Sequence, residues 1–194
     1  MNTLQQRILN EAVYIGNGII KVDGFLNHQI DPQLMTEFGR EFVRLFKIHG
    51  VRSITKILTV GISGIAPALA VAQELNIPMV FARKQRSITM IEGCYQAAAM
   101  SRTGGKIVQL SVSREYMSQA DRVVLIDDFL ATGETIRALA EIINQSRASL
   151  LGVGCVLEKV FEEGREKLSH LNVPLISLAR LNVLDNRVII AEQN

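Results

Sequence analysis

The chain has 194 residues, 48% hydrophobic and 21% charged, with a net charge of +2. That is enough apolar material for one well-packed domain and marginal for two, and too little net charge for a strong field toward DNA, RNA or anionic lipid. Two cysteines, Cys94 and Cys155, make no CxxC pair, and with three scattered histidines they give no zinc spacing. Free thiols suit a reducing cytosol. The opening residues lack the basic-then-apolar layout of a signal peptide, and no run of about 18 apolar residues occurs. A soluble cytoplasmic protein is expected.

Residues 3–13 carry Leu4, Ile8, Leu9 and Ala12 at helical spacing. Residues 14–25 hold glycines at 16, 18 and 24 and the turn signal Asn17-Gly18, which predicts two short extended pieces. Asp31-Pro32 marks a helix start, a cap followed by proline at the first position. That helix runs to about His49 with Leu34, Phe38, Phe42, Leu45 and Phe46 as its buried stripe, and Gly50 ends it. Residues 53–60 are a strand that meets Gly61-Ile62-Ser63-Gly64 and then a small-residue helix from Ile65. Strand, glycine loop and helix make an anion-ready arrangement, because the first helical N–H groups lack partners. A close strand–helix packing turn explains the same residues.

Residues 78–82 are the next strand, followed by Arg83, Lys84 and Arg86. Alone these cations read as a solvated rim. In a parallel sheet, however, the C-terminal strand ends share one face, which brings them near the other loops. Residues 97–113 read as a hairpin about Gly104-Gly105, richer in Ser and Thr than the core strands.

Residues 123–126, Val-Val-Leu-Ile, suit a strand buried on both faces. Asp127 and Asp128 follow, just outside its C-terminal end, where open α/β sheets bind ligands. Next come Ala131, Thr132, Gly133, Glu134 and Thr135. Gly133 allows close backbone approach and the threonines add hydroxyl donors. Ile136, Leu139, Ala140 and Ile143 then fall at helical spacing. An ordinary βα turn with an Asp cap would contain much of this pattern. Residues 150–157 are a buried strand ending at Glu158-Lys159; a short helix starts at Gly164, and late strands cover 175–180 and 187–191. The alternation from 53 to 157, without repeats, predicts one α/β domain with a doubly wound parallel sheet. Its core would be residues 31–157, with residues 1–30 and 158–194 forming a cap on the ligand face.

The full string over 123–135, four apolar residues, two acids, two apolar residues and A-T-G-E-T, closely resembles the phosphoribosyl pyrophosphate (PRPP) signature of type I phosphoribosyltransferases. The resemblance implies that Asp127 and Asp128 hold the ribose hydroxyls, helped by Mg²⁺ that is bound through PRPP rather than by a dedicated set of side chains. Asp128 is also a candidate proton acceptor. Ala131, Thr132, Gly133, Glu134 and Thr135 would take the 5′-phosphate. Ser63 and Gly64 match the pyrophosphate loop, where members often hold a cis peptide, and Arg83 and Lys84 match a pair that meets the diphosphate. The hairpin would be a mobile lid that closes over PRPP and excludes water.

A wider set, including residues 22–32, Gly64-Ile65-Ala66-Pro67, Phe81-Ala82-Arg83-Lys84, Asp127-Asp128-Phe129-Leu130 and Glu158-Lys159, resembles the bacterial xanthine phosphoribosyltransferases over nearly the whole chain. That implies Ile20, Asn27 and Lys159 as xanthine contacts, XMP and pyrophosphate as products, and a homodimer without nucleic-acid or membrane partners. Xanthine carries oxygens at C2 and C6 and loses a proton readily, so donors and a cation suit it. Without the resemblance, Lys159 would be a surface lysine paired with Glu158 or Glu162, and Asn27 a turn amide. The A-T-G-E-T loop and Gly164-Arg165-Glu166-Lys167-Leu168 are similar to adenine-specific relatives, which keeps guanine, hypoxanthine and adenine as alternatives. Purine-responsive regulators that bind PRPP without catalysis join this domain to a winged-helix domain. Here roughly 50 residues precede the first core strand, without a basic recognition helix. A non-catalytic PRPP sensor stays open; DNA binding is not expected.

Overall fold

The computed structural model describes residues 3–85, 88, 90, 93–100 and 105–192. The chain opens with α1 (Thr3–Glu11), then β1 (Val13–Tyr14) and β2 (Ile20–Lys21), paired antiparallel across the predicted Asn17-Gly18 turn. A short π-helical turn, Asp23–Asn27, leads to α2 (Pro32–Ile48). The Asp31 carboxylate caps α2, accepting from Gln33 N at 3.0 Å and Leu34 N at 3.1 Å. Its other oxygen takes Arg7 Nη1 at 2.7 Å, which ties α1 to the start of α2.

The central sheet is built from β3 (Lys56–Val60), β4 (Met79–Ala82), β7 (Arg122–Leu130), β8 (Ser149–Lys159), β9 (Leu175–Leu184) and β10 (Arg187–Ile190). Its order is β10-β9-β8-β7-β3-β4; every neighbouring pair is parallel except β10 with β9. Crossovers run through α3 (Ile65–Leu75) and α4 (Glu134–Gln145) on opposite faces. The doubly wound α/β expectation therefore holds, with one antiparallel edge strand added. Val123, Val124, Leu125 and Ile126 are all fully buried. Val124 and Ile126 join the core under α2 and α3, while Val123 and Leu125 join the core under α4. That split is the period-two signature of a strand covered on both sides. Gly152 and Gly154 of β8 leave room for aromatic rings: a Cβ at either would stand 2.9 Å or 2.8 Å from the rings of Phe46 and Phe42.

Several boundaries differ from the expectation. β3 begins at Lys56 rather than at residue 53, because Ser53 sits at φ +55° and its carbonyl accepts Arg122 Nε at 3.0 Å. β8 runs on through Glu158 and Lys159, since the ladder continues as Leu130↔Glu158, Glu158↔Arg180 and Lys159↔Leu181. The C-terminal residues assigned to the cap form β9 and β10, which extend the main sheet.

β5 (Cys94–Met100) and β6 (Ile107–Ser113) form the predicted antiparallel hairpin. Its described strands are firmly attached. Ala97, Ala99, Leu110 and Val112 are buried in the core under α4. Gln145 exchanges two hydrogen bonds with the Gln96 backbone, at 2.7 and 3.1 Å, and Arg137 Nη2 donates to Ala98 O at 2.9 Å. Arg83 and Ser111 bridge backbone to backbone. Residues 101–104, with Gly104 of the expected Gly104-Gly105 turn, and the cation Arg86 lie outside the described residues.

Candidate active site

At the C-terminal ends of β3, β7 and β8 lies a cavity of about 360 Å³, within the size range of small-molecule sites. Ile20, Asn27, Ser63, Gly64, Lys84, Asp127, Asp128, Ala131, Thr132, Gly133, Glu134, Thr135 and Lys159 all line it. Arg83 does not. Its guanidinium stands 5.2 Å above the Phe81 ring, outside the cavity. Arg83 follows β4 and bridges to Ser111, and the chain bends at Lys84. Lys84 turns in and Arg83 turns out.

Asp127 and Asp128 lie inside β7 and not just beyond it as expected, because the ladder with β8 continues through Asp127↔Cys155 to Leu130↔Glu158. Asp127 is 3% exposed, and its Oδ1 accepts the Asp128 N–H at 3.0 Å. Burial, then the charge and side-chain hydrogen bond of Asp128, hold the Asp127 carboxyl well above the usual range, while Lys84 pulls the other way. The loop after β3 lies directly against it. A Cβ at Gly64 would overlap Thr59 Oγ1 and stand 2.9 Å from Asp127 Oδ1, so only glycine fits. In the same loop the Gly61–Ile62 peptide is cis.

The loop at 131–133 turns through Gly133, at φ +84°, into the twelve-residue α4, whose first-turn N–H groups lack helical partners at the cavity end. Glu134, the first residue of α4, brings a negative charge to the cavity wall beside this loop. Arg137 neutralises it, with Nη2 3.1 Å from Oε2. From below, the loop is braced by α5 (Gly164–Lys167). A Cβ at Gly164 would overlap Ala131 O and come within 3.0 Å of Gly133 N, and Leu168 presses on Gly133 beside it.

At the opposite end, Lys159 is 7% exposed, so the surface-lysine reading does not hold. Its Nζ donates to Gly18 O at 3.0 Å, lies 3.8 Å from Glu162 Oε1 and stands 5.0 Å above the Phe129 ring. Asn27 Oδ1 is buried with no hydrogen-bond partner among the described residues, and Ile20 adds an apolar wall. Phe129, Ile19 and the hairpin residues Ala99, Met100, Val108 and Leu110 also line it, as do Val60, Gly61, Ile62, Leu130 and Ile136. None of these was singled out as a site residue, since isolated apolar residues read as core.

Two carboxylates are the hard oxygen donors that Mg²⁺ accepts, but the described residues hold no group of three or more His, Cys, Asp or Glu able to cage a metal ion. A divalent cation fits here only with further oxygens from ligand and water.

The chain matches the family described as phosphoribosyl transferase domain over residues 44–190. It belongs to the phosphoribosyltransferases. Curated xanthine phosphoribosyltransferases are similar along nearly their full length. That of Deinococcus deserti is 50% identical over 185 residues, 95% of this chain and 94% of the relative. That of Lacticaseibacillus casei is 46% identical over 190 residues, 98% and 97% of the two chains. Among solved structures, adenine phosphoribosyltransferase from Thermoanaerobacter pseudethanolicus superposes with a TM-score of 0.74 at 20% identity, covering 92% of this chain and 99% of that one. The Trypanosoma brucei adenine enzyme gives 0.73 at 21%, covering 92% and 79%. At such identities the likeness establishes the phosphoribosyltransferase fold and leaves the base to the site itself.

Proposed function

We propose that this phosphoribosyltransferase moves ribose 5-phosphate from PRPP to xanthine, forming XMP and releasing pyrophosphate. The carrying observation is a buried Lys159 that shares one cavity with the PRPP signature, in a chain 43–50% identical to curated xanthine enzymes. Each end of the cavity has its part. The N–H groups and hydroxyls of residues 131–135 take the 5′-phosphate. Asp127 and Asp128 take the ribose hydroxyls. Ser63, Gly64 and Lys84 face the diphosphate, where fixed positive charge steadies the departing pyrophosphate as the bond breaks. Arg83 belongs to the diphosphate side only after a side-chain rotation away from Phe81. Mg²⁺ on PRPP supplies charge neutralisation and orientation.

The base meets Ile20 and Asn27 from the N-terminal segment and Lys159 from the end of β8. Xanthine offers oxygen at C2 where guanine offers an amino group. A buried donor left facing a donor costs about 1–3 kcal/mol, roughly tenfold to a hundredfold in selectivity. No nucleophilic side chain is required: the sugar carbon passes through an oxocarbenium-like state, and the protein aligns both partners and keeps water away. The same reading includes a cytoplasmic enzyme acting as a homodimer. Light scattering on the purified chain should then give twice the chain mass.

The test is pyrophosphate release from PRPP and Mg²⁺ with xanthine, guanine, hypoxanthine and adenine offered separately. The highest kcat/KM is expected with xanthine. A preference for adenine would overturn the base assignment. PRPP binding without release on any base would replace the transferase by a sensor.

A further inference from the structure

The helix under the phosphate loop has one turn, Gly164–Lys167. So short a helix has no stability of its own, yet its first residue sets the height of the loop above it. Arg165 supplies what holds it. Its Nε donates to Glu158 Oε1 at 2.9 Å and its Nη2 to Glu158 Oε2 at 2.5 Å, a two-point fork on one carboxylate. Nη1 reaches Leu175 O at 2.9 Å and Nη2 reaches Ser177 Oγ at 3.2 Å, both on β9. Glu158 is 2% exposed; it also accepts the Ser177 hydroxyl at 2.7 Å and lies 3.5 Å from Arg180 Nε. Neither Glu158 nor Arg165 lines the cavity.

We infer that Arg165, clamped by Glu158, is a positioning residue for the phosphate loop. It acts through Gly164 on Ala131 and Gly133 and touches no substrate. Chain order supports the link. Glu158 pairs across the sheet with Leu130, the residue just before the loop. Strand end, clamp, one-turn helix and loop thus form a closed ring of contacts. An ion pair this buried adds little net stability against an apolar substitute, whereas a planar fork fixes direction, and direction is what a phosphate cradle needs. The inference rests on the proposed function only in taking residues 131–135 as the 5′-phosphate site.

The experiment compares the full-length wild type with Arg165→Met, Arg165→Lys and Lys56→Met. Lys56→Met breaks a comparably part-buried pair, Lys56 Nζ to Asp121 Oδ1 at 2.9 Å, outside the cavity. Calorimetry gives PRPP affinity with Mg²⁺ and no base; steady-state rates give KM for PRPP and for xanthine. Arg165→Met should weaken PRPP about tenfold or more, with Arg165→Lys between it and wild type, since lysine keeps the charge and loses the fork. Xanthine KM should stay within about twofold for both, and Lys56→Met should leave both constants within about twofold. Equal loss for PRPP and xanthine, or the same loss in Lys56→Met, would show general loosening and overturn the inference. If Arg165→Met does not fold, Arg165→Lys decides, and wild-type PRPP affinity there also overturns it. A wild type that binds no PRPP would sink the proposed function instead.

Discussion

Substituting Gly164 by alanine adds one methyl group beneath the phosphate loop. The new Cβ would overlap Ala131 O and stand 2.9 Å from Leu130 Cδ1 and 3.0 Å from Gly133 N. Two of those three neighbours are backbone, so no side chain can swing aside. The loop must lift by about 1 Å to restore ordinary contact, and a misplacement of that size costs roughly a hundredfold in rate. That is about 2.7 kcal/mol of transition-state stabilisation. Overpacking should also lower stability by about 1–3 kcal/mol, roughly 2–12 °C in Tm for a chain of this length. The assay is pyrophosphate release at fixed saturating xanthine with PRPP varied, run well below the variant's Tm. The loss should appear in kcat/KM for PRPP, with xanthine KM little changed. A Gly164→Ala protein that is folded and keeps kcat/KM for PRPP within twofold of wild type would refute the claim that this helix sets the loop.

Further outcomes follow from the charges. Asp127 has a folded-state pKa raised by burial and by Asp128, so its contribution to stability is complete below about pH 4 and is lost as pH rises through the folded value. Asp127→Asn should therefore melt higher than wild type at pH 7.5, with the gap closing toward pH 4, while turnover falls about a hundredfold or more; equal melting curves at both pH values would count against a strained carboxylate. Glu158 behaves oppositely. Burial raises its pKa, but hydrogen bonds from Arg165 and Ser177 and the charges of Arg165 and Arg180 outweigh that and hold it below the usual range. Its stabilisation is present above about pH 4.5 and is lost as pH falls through the folded value. Wild type should then melt above Glu158→Gln at pH 7, and calorimetric scans should show the gap narrowing as pH falls from about 4.5 toward the folded value. Lys159→Ala should raise xanthine KM about tenfold to a hundredfold and leave PRPP affinity within about threefold; equal losses for all four bases would remove Lys159 from base selection.

How much of this was legible in one dimension depends on whether the signal is local. The Asp31-Pro32 start of α2 was readable because a cap bonds to N–H groups two and three residues on. The strand at 123–126 was readable because burial on both faces demands an unbroken apolar run. The same holds for residues 127–135, one contiguous stretch that all lines the cavity. What stayed hidden depends on which way neighbours point and on what lies across the sheet. Arg83 and Lys84 look alike in sequence, yet only Lys84 reaches the cavity. Glu158 and Lys159 also diverge, with larger consequences. They are consecutive residues of one strand, so they face opposite sides. Lys159 faces the Phe129 ring and the cavity, and Glu158 faces Arg165, Ser177 and Arg180. The adjacent Glu-Lys pair thus reads as a surface ion pair only if both side chains are imagined on one face. Once β8 is extended through them, each must find a separate partner, and each partner lies on a different part of the chain. One strand end thereby sets a cavity-lining lysine on one face and, through Arg165, holds the one-turn helix beneath the 131–133 loop on the other.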